Sequence, residues 1–326
     1  MKKFFKDVIG ELRNPSEDSE KVLDVIRRLL RVVLLFSIIS FFISIGFFIS
    51  NLVYLDKNQM LEYVVEREGV FLYILPYIRN FITMLIDLIL LILCTKSINS
   101  KIIYGRKLFI FLLITLVALP LILNIVKQRT ILYILFGLVR SSIFIYLFSN
   151  AFIKFTQNSK IQSKFNENQA RIRNLTLLSY AYIIFTIFPQ VISMLQYVVL
   201  NISYFASEFS QDGILSIIYF AGNIFYELSL ITLLIIVILV FVCRFKYSLR
   251  IKQSINVLLI ILLIFDVLSF VRLFIPSTIT IIAIMFVIAA NYQNRLKLFD
   301  NTGKKLLIKV YNGTKNWFNE YLSFKE

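Results

Sequence analysis

Runs of about 20 mostly apolar residues recur along this chain, joined by connections too short to hold a domain of their own. A helix rising about 1.5 Å per residue needs about 20 residues to cross a hydrocarbon layer roughly 30 Å thick. Hydrocarbon offers an open backbone amide no partner, so each run is expected to be helical. Eight segments qualify: residues 32–55, 70–93, 108–126, 131–153, 175–200, 214–243, 255–273 and a shorter 276–292. The expected fold is all-α, a polytopic transmembrane helix bundle over 32–292, with 1–31 as an N-terminal segment and 293–326 as a tail. Pro276 marks the turn between the last two segments, because proline disfavours helical backbone in the residue before it. A kink there instead of a turn would leave seven spans.

Basic residues orient the bundle. Of 35 Lys and Arg, 28 fall in the N-terminal segment, the even-numbered connections and the tail. The opposite connections hold five: Lys57, Arg67, Lys127, Arg129 and Arg272. Cytoplasmic segments collect positive charge, so both termini are expected in the cytoplasm, at a cell membrane. The first 31 residues carry six acids, unlike the short basic start of a cleavable signal, so the first run is read as a retained span. Abundant Phe, Ile, Lys and Asn beside only 9 Gly suggest a bacterial source with an AT-rich genome.

Composition removes several classes of function. Hydrophobic residues make up 59% of the chain and its mean hydropathy is +0.80, so the formal charge of +16 points to a lipid surface and not to nucleic acid. Without histidine there is no HExxH zinc site, no Ser-His-Asp triad and no histidine relay. Cys94 and Cys243 fall near cytoplasmic helix ends and imply no disulfide framework. No phosphate-binding loop, GxGD or DDxxD signature is present. No catalytic residue, metal ligand or cofactor site is assigned, and the chain is read as a non-enzyme.

Both ends have the pattern of helices lying on an anionic inner leaflet. In the tail, Leu306, Leu307, Val310, Trp317 and Phe318 recur at helical spacing with Lys304, Lys305 and Lys309 beside them, as an interfacial anchor requires. Phe4, Phe5, Val8, Ile9 and Leu12 repeat the pattern at the N-terminus. Asn14-Pro15 then reads as the cap and first position of a new helix carrying Glu17.

The residues that most invite a functional reading are charges inside spans, each costing at least about 2.5–3.5 kcal/mol at a helix centre for Arg or Asp. They are Arg79, Asp87, Arg140, Glu227 and Asp266. Polar stripes accompany them: Asn80 beside Arg79 on the second span, Gln190 on the fifth and Asn223 one turn before Glu227 on the sixth. Counted from the helix ends, Arg79, Arg140, Glu227 and Asp266 reach comparable depth and are expected to share one layer. That layer is either an ion-pair network fixing the packing or a polar cavity for an ion or polar solute. Two cations leave one of three acids unpaired, and Asp87, nearest the cytoplasm, is the acid expected to face water or be protonated.

Three functions fit such a chain. The first is a transport or export component, a permease-like subunit with the polar layer lining the path. The second is a non-catalytic scaffold or regulator of an envelope or secretion machine, with protein partners recruited at the amphipathic ends. The third is an intramembrane enzyme acting on lipid, for which no motif speaks.

Overall fold

A computed structural model describes residues 2–14, 16–57, 70–100, 106–126, 131–153, 166–208, 213–245, 249–269 and 275–295. These residues form nine helices: α1 (Lys2–Arg13), α2 (Ser19–Lys57), α3 (Val70–Ser100), α4 (Arg106–Val126), α5 (Ile131–Phe152), α6 (Glu167–Glu208), α7 (Gly213–Phe245), α8 (Leu249–Leu268) and α9 (Ile275–Arg295). Six of them contain stretches long and apolar enough to cross a membrane: Ser19–Ser50, Ile74–Ser97, Ile134–Phe152, Glu167–Gln190, Ile224–Cys243 and Leu249–Leu268. The protein is an all-α, multi-span helical membrane protein. The tail residues Lys304, Lys305, Lys309, Trp317 and Phe318 lie outside the described residues.

Local chemistry sets where several helices begin. The second helix starts at Ser19 and not at the Pro15 position suggested by the sequence, because Asp18 caps it: its Oδ1 accepts from Glu20 N at 2.9 Å. Ser16 Oγ in turn accepts from Asp18 N at 3.1 Å, fixing the short link after α1. The helix therefore runs thirteen residues ahead of the apolar stretch at 32. Similarly, α6 begins well before residue 175. Asn166 N donates to Gln169 Oε1 at 3.2 Å while Ala170 N reaches Asn166 O at 3.0 Å, one half of a capping box. Pro276 falls in the first turn of α9, where a missing N–H leaves no helical bond unmade, and α8 and α9 are separate helices.

Neighbouring helices run antiparallel, and ring contacts show the register. Between α2 and α3, Phe48 meets Tyr77 with centroids 3.8 Å apart and Phe41 meets Phe81 at 5.9 Å. Between α5 and α6, Phe136 meets Phe188 at 5.7 Å and Phe144 meets Tyr182 at 5.9 Å. Phe225 of α7 lies 6.0 Å from Phe265 of α8, and Tyr180 of α6 lies 6.1 Å from Phe286 of α9. Such pairs add about 0.5–1.5 kcal/mol each beyond their buried area.

The core sits around α9, which packs on α2, α6, α7, α8 and α1. From Ile279 to Gln293 its residues are buried almost without interruption, with Ala283 and Ala289 fully enclosed. Small residues let neighbouring backbones close in, which drives helix association where lipid removes the hydrophobic contrast. The outer helices are apolar on both faces. Helix α8 buries Ile255, Leu259 and Leu262 while exposing Val257, Ile260, Leu263 and Val267. An exposed apolar surface of that extent is what a lipid-facing helix carries.

Candidate functional site

Two carboxylates inside the spans are held by hydroxyls on a neighbouring helix. Asp87 of α3 is 3% exposed, and Ser37 of α2 donates to its Oδ2 at 2.5 Å. Of the two alternatives expected for this acid, burial removes the water-facing one. Asp266 of α8 accepts from Thr280 of α9, while its Oδ1 is buried with no hydrogen-bond partner among the described residues. A hydrogen bond to a buried carboxyl group is worth more where water is excluded.

The remaining charges are distributed over different seams. Arg79 turns along its own helix to Asn80, whose Oδ1 accepts from Nε at 3.1 Å and Nη2 at 2.5 Å. The α3 helix that carries both packs on α2 and α4. Arg140 of α5 acts electrostatically on Tyr182 of α6, which is buried in the seam between those helices. Glu227 belongs to α7, which packs chiefly on α8 and α9, and is half-buried. Gln190 Oε1 is buried in α6 without a hydrogen-bond partner among the described residues, and the Asn223 side chain lies outside them.

The α8–α9 seam carries a polar ladder whose lower rungs the sequence reading missed. Lys252 and Arg295 lie close enough to interact at one end, and Asp266 meets Thr280 further in. On the same two helices, Asn256 Oδ1 and Asn291 Nδ2 are each buried without a hydrogen-bond partner among the described residues. Asn256 stands one helical turn after Lys252 on the sequence, a spacing that marks a shared face.

The densest polar network lies at the end of the bundle where α2 begins, and it ties chain segments far apart in sequence. Lys252 Nζ at the start of α8 donates to the Arg13 carbonyl at the end of α1. Arg27 Nε donates to the Ala151 carbonyl at the end of α5 at 2.7 Å. Gln293 near the end of α9 donates to Thr176 Oγ1 of α6 at 2.6 Å, and Arg295 pairs with Glu17 at 2.9 Å. Arg28 pairs with Asp24 at 2.7 Å and with Asp7 of α1 at 3.8 Å. Glu11 of α1, only 2% exposed, accepts from Ser16 N at 2.7 Å and faces Lys21 Nζ at 3.6 Å. Tyr292, fully buried, brings its hydroxyl towards Ser19 and Gln169.

The first helix is thus docked on protein as well as offering an apolar face. Val8 is buried and Phe4 and Leu12 pack against the core, whereas Phe5 and Ile9 remain exposed. That division turns part of the amphipathic apolar face onto protein, with the buried Glu11 as the feature the pattern did not foretell. Beside this end, a cleft of ≈460 Å³ opens along the outside of α5 and α6, lined by Asn150, Glu167, Arg171 and Asn174 and by Tyr146, Leu177 and Leu178. No group of acids and cysteines able to hold a metal ion occurs among the described residues. No protein family, curated protein or solved structure matches this chain.

Proposed function

We propose that this chain is a non-catalytic scaffold subunit of a larger membrane assembly, crossing the cell membrane eight times and working through its cytoplasmic end. The observation that carries the reading is the polar tie of α1 to the starts of α2 and α8, and of the α1–α2 link to the end of α9, which presents one structured surface built from the N-terminal segments and two segments remote from them in sequence. Support for eight crossings comes from the same contacts: the starts of α2, α6 and α8 share one end with the finishes of α5 and α9. On this reading α4 and α9 join the other six apolar helices as spans. The basic charge gathered at that end supports a cytoplasmic placement of both termini.

The bundle centre supports a scaffold over a carrier. Apart from Thr280, α9 is lined from Ile279 to Ala290 by apolar side chains, which offers a polar solute little along that helix. The test is native mass spectrometry of the full chain purified in mild detergent. A stoichiometric second polypeptide is expected, lost when residues 2–13 are deleted while the remaining bundle elutes unchanged. A chain that purifies alone and moves a solute in proteoliposomes overturns the reading.

A permease-like transport or export component is the second reading. It is favoured by Asp266, an intramembrane acid whose Oδ1 is buried with no hydrogen-bond partner among the described residues, since such groups mark ion and solute paths. Loss of solute uptake in Asp266→Asn at unchanged protein level selects it.

A further inference from the structure

The cleft on the α5–α6 face is graded from charged to apolar along the membrane normal. Asn150, Glu167, Arg171 and Asn174 line it at the basic end of the bundle, and Tyr146, Leu177 and Leu178 line it further in. Between Glu167 and Leu178 the helix rises roughly 16 Å at about 1.5 Å per residue, enough to span a headgroup layer and enter hydrocarbon. Tyr146 and Leu177 are 64% and 56% exposed, so the cleft opens outwards, to where lipid stands, and not into the bundle. A tyrosine at that level is in its usual place at a membrane interface.

The charges are arranged for both signs at once. Arg171 is 5% exposed and pairs through Nη2 with Glu167 at 3.0 Å, while Glu167 keeps about a third of its side chain accessible. Arg27 is close enough to interact electrostatically with Arg171, and Asp24 and Glu20 interact with Arg27 in turn. Asn150 Nδ2 reaches the Arg171 carbonyl at 3.4 Å, and its second N–H is available, as is the exposed Asn174 carboxamide. Guanidinium and carboxamide donors suit a phosphate. A phosphate alone would stand against the Glu167 carboxylate, of which Oε1 pairs with Arg171, whereas a headgroup that also carries a primary ammonium supplies a donor for its second oxygen.

We propose that this cleft binds a zwitterionic aminophospholipid, its phosphate against Arg171, Asn150 and Asn174, its ammonium against Glu167, and its acyl chains along Tyr146, Leu177 and Leu178. A choline headgroup fits less well, because its methyl groups leave no N–H for Glu167, and a glycerol headgroup supplies no cation.

The test exchanges lipid on the purified full chain and reads retention by native mass spectrometry, using nanodiscs of phosphatidylethanolamine, phosphatidylglycerol or phosphatidylcholine. One phosphatidylethanolamine is expected to survive detergent washing, with about tenfold better retention than either other lipid, the worth of one charge-assisted contact. Glu167→Gln should bring phosphatidylethanolamine and phosphatidylglycerol near parity. Asn174→Asp should lower retention of every lipid about tenfold while the protein elutes and melts as wild type. Equal retention of the three lipids by the wild type, or retention untouched by Asn174→Asp, overturns the proposal. Displacement of bound lipid by millimolar inorganic phosphate would assign a free-phosphate site instead and overturn it too.

Discussion

The Lys252 ammonium donates to the Arg13 carbonyl, joining the first turn of α8 to the last turn of α1 across 239 positions of sequence. That carbonyl is one of the groups a helix C-terminus leaves without an intrahelical partner, and a lysine is the side chain that best answers it. The bond makes the N-terminal helix part of the bundle.

Lys252→Met keeps the aliphatic stem but removes the donor, and its effect should be local. The amides of residues 2–13 are expected to exchange hydrogen about five- to fifteenfold faster, the equivalent of about 1–1.5 kcal/mol, while α9 exchange stays unchanged. Mass-spectrometric hydrogen exchange in detergent reads both regions together, and equal protection of α1 in variant and wild type would count against the tie.

The Ser37–Asp87 bond should be measurable as a coupling. Ser37→Ala is expected to cost about 1–3 kcal/mol, because it strips a buried acid of its donor, and Asp87→Asn should cost less, because an amide still accepts from the hydroxyl. A double-mutant cycle on thermal unfolding should return a coupling of about 0.5–3 kcal/mol between the two positions. Additive losses would place the two side chains in separate environments.

Ala283 and Ala289 sit where α9 is enclosed, so added volume has nowhere to go. Either alanine changed to leucine should destabilise the bundle by about 1–3 kcal/mol through overpacking. An enlargement at Ile264, which is 48% exposed on α8, should be nearly silent as Ile264→Phe. Comparing melting temperatures of the three variants by size-exclusion chromatography tests the central position of α9 directly.

The proposed topology is open to labelling. Cys94 and Cys243 are buried, so replacing both by alanine gives a background with little interference. In that background Lys57→Cys should react with a membrane-impermeant maleimide on intact cells, and Asn14→Cys only after lysis. Reaction of Asn14→Cys on intact cells would invert the orientation and move the basic end outside.

How much of this was legible varies by feature. The helices were, because a 20-residue apolar run has one stable form in lipid. Their starts were legible only in part. The Asn166-x-x-Gln169 box and the Asp18 cap stand in the sequence, yet the eye follows the apolar stretch that begins later. The intramembrane acids were visible as anomalies, but not their partners. Ser37 is one of several small polar residues on its helix, and only the α2–α3 register selects it for Asp87.

The sequence by itself determined the membrane class, the helical form of the apolar runs and the separation of one strongly basic end from the other. Those follow from hydropathy, from backbone hydrogen bonding in lipid and from charge counts, none of which needs a neighbour. Only the tertiary structure decided that α9 is central, that Asp87 meets Ser37 and Asp266 meets Thr280, and that α1 is tied to α8. In water the apolar face of a helix announces which side is inward. In lipid both sides are apolar, as the buried Leu259 and the exposed Ile260 of α8 show, so inward and outward are settled by which surfaces fit and which polar groups find partners.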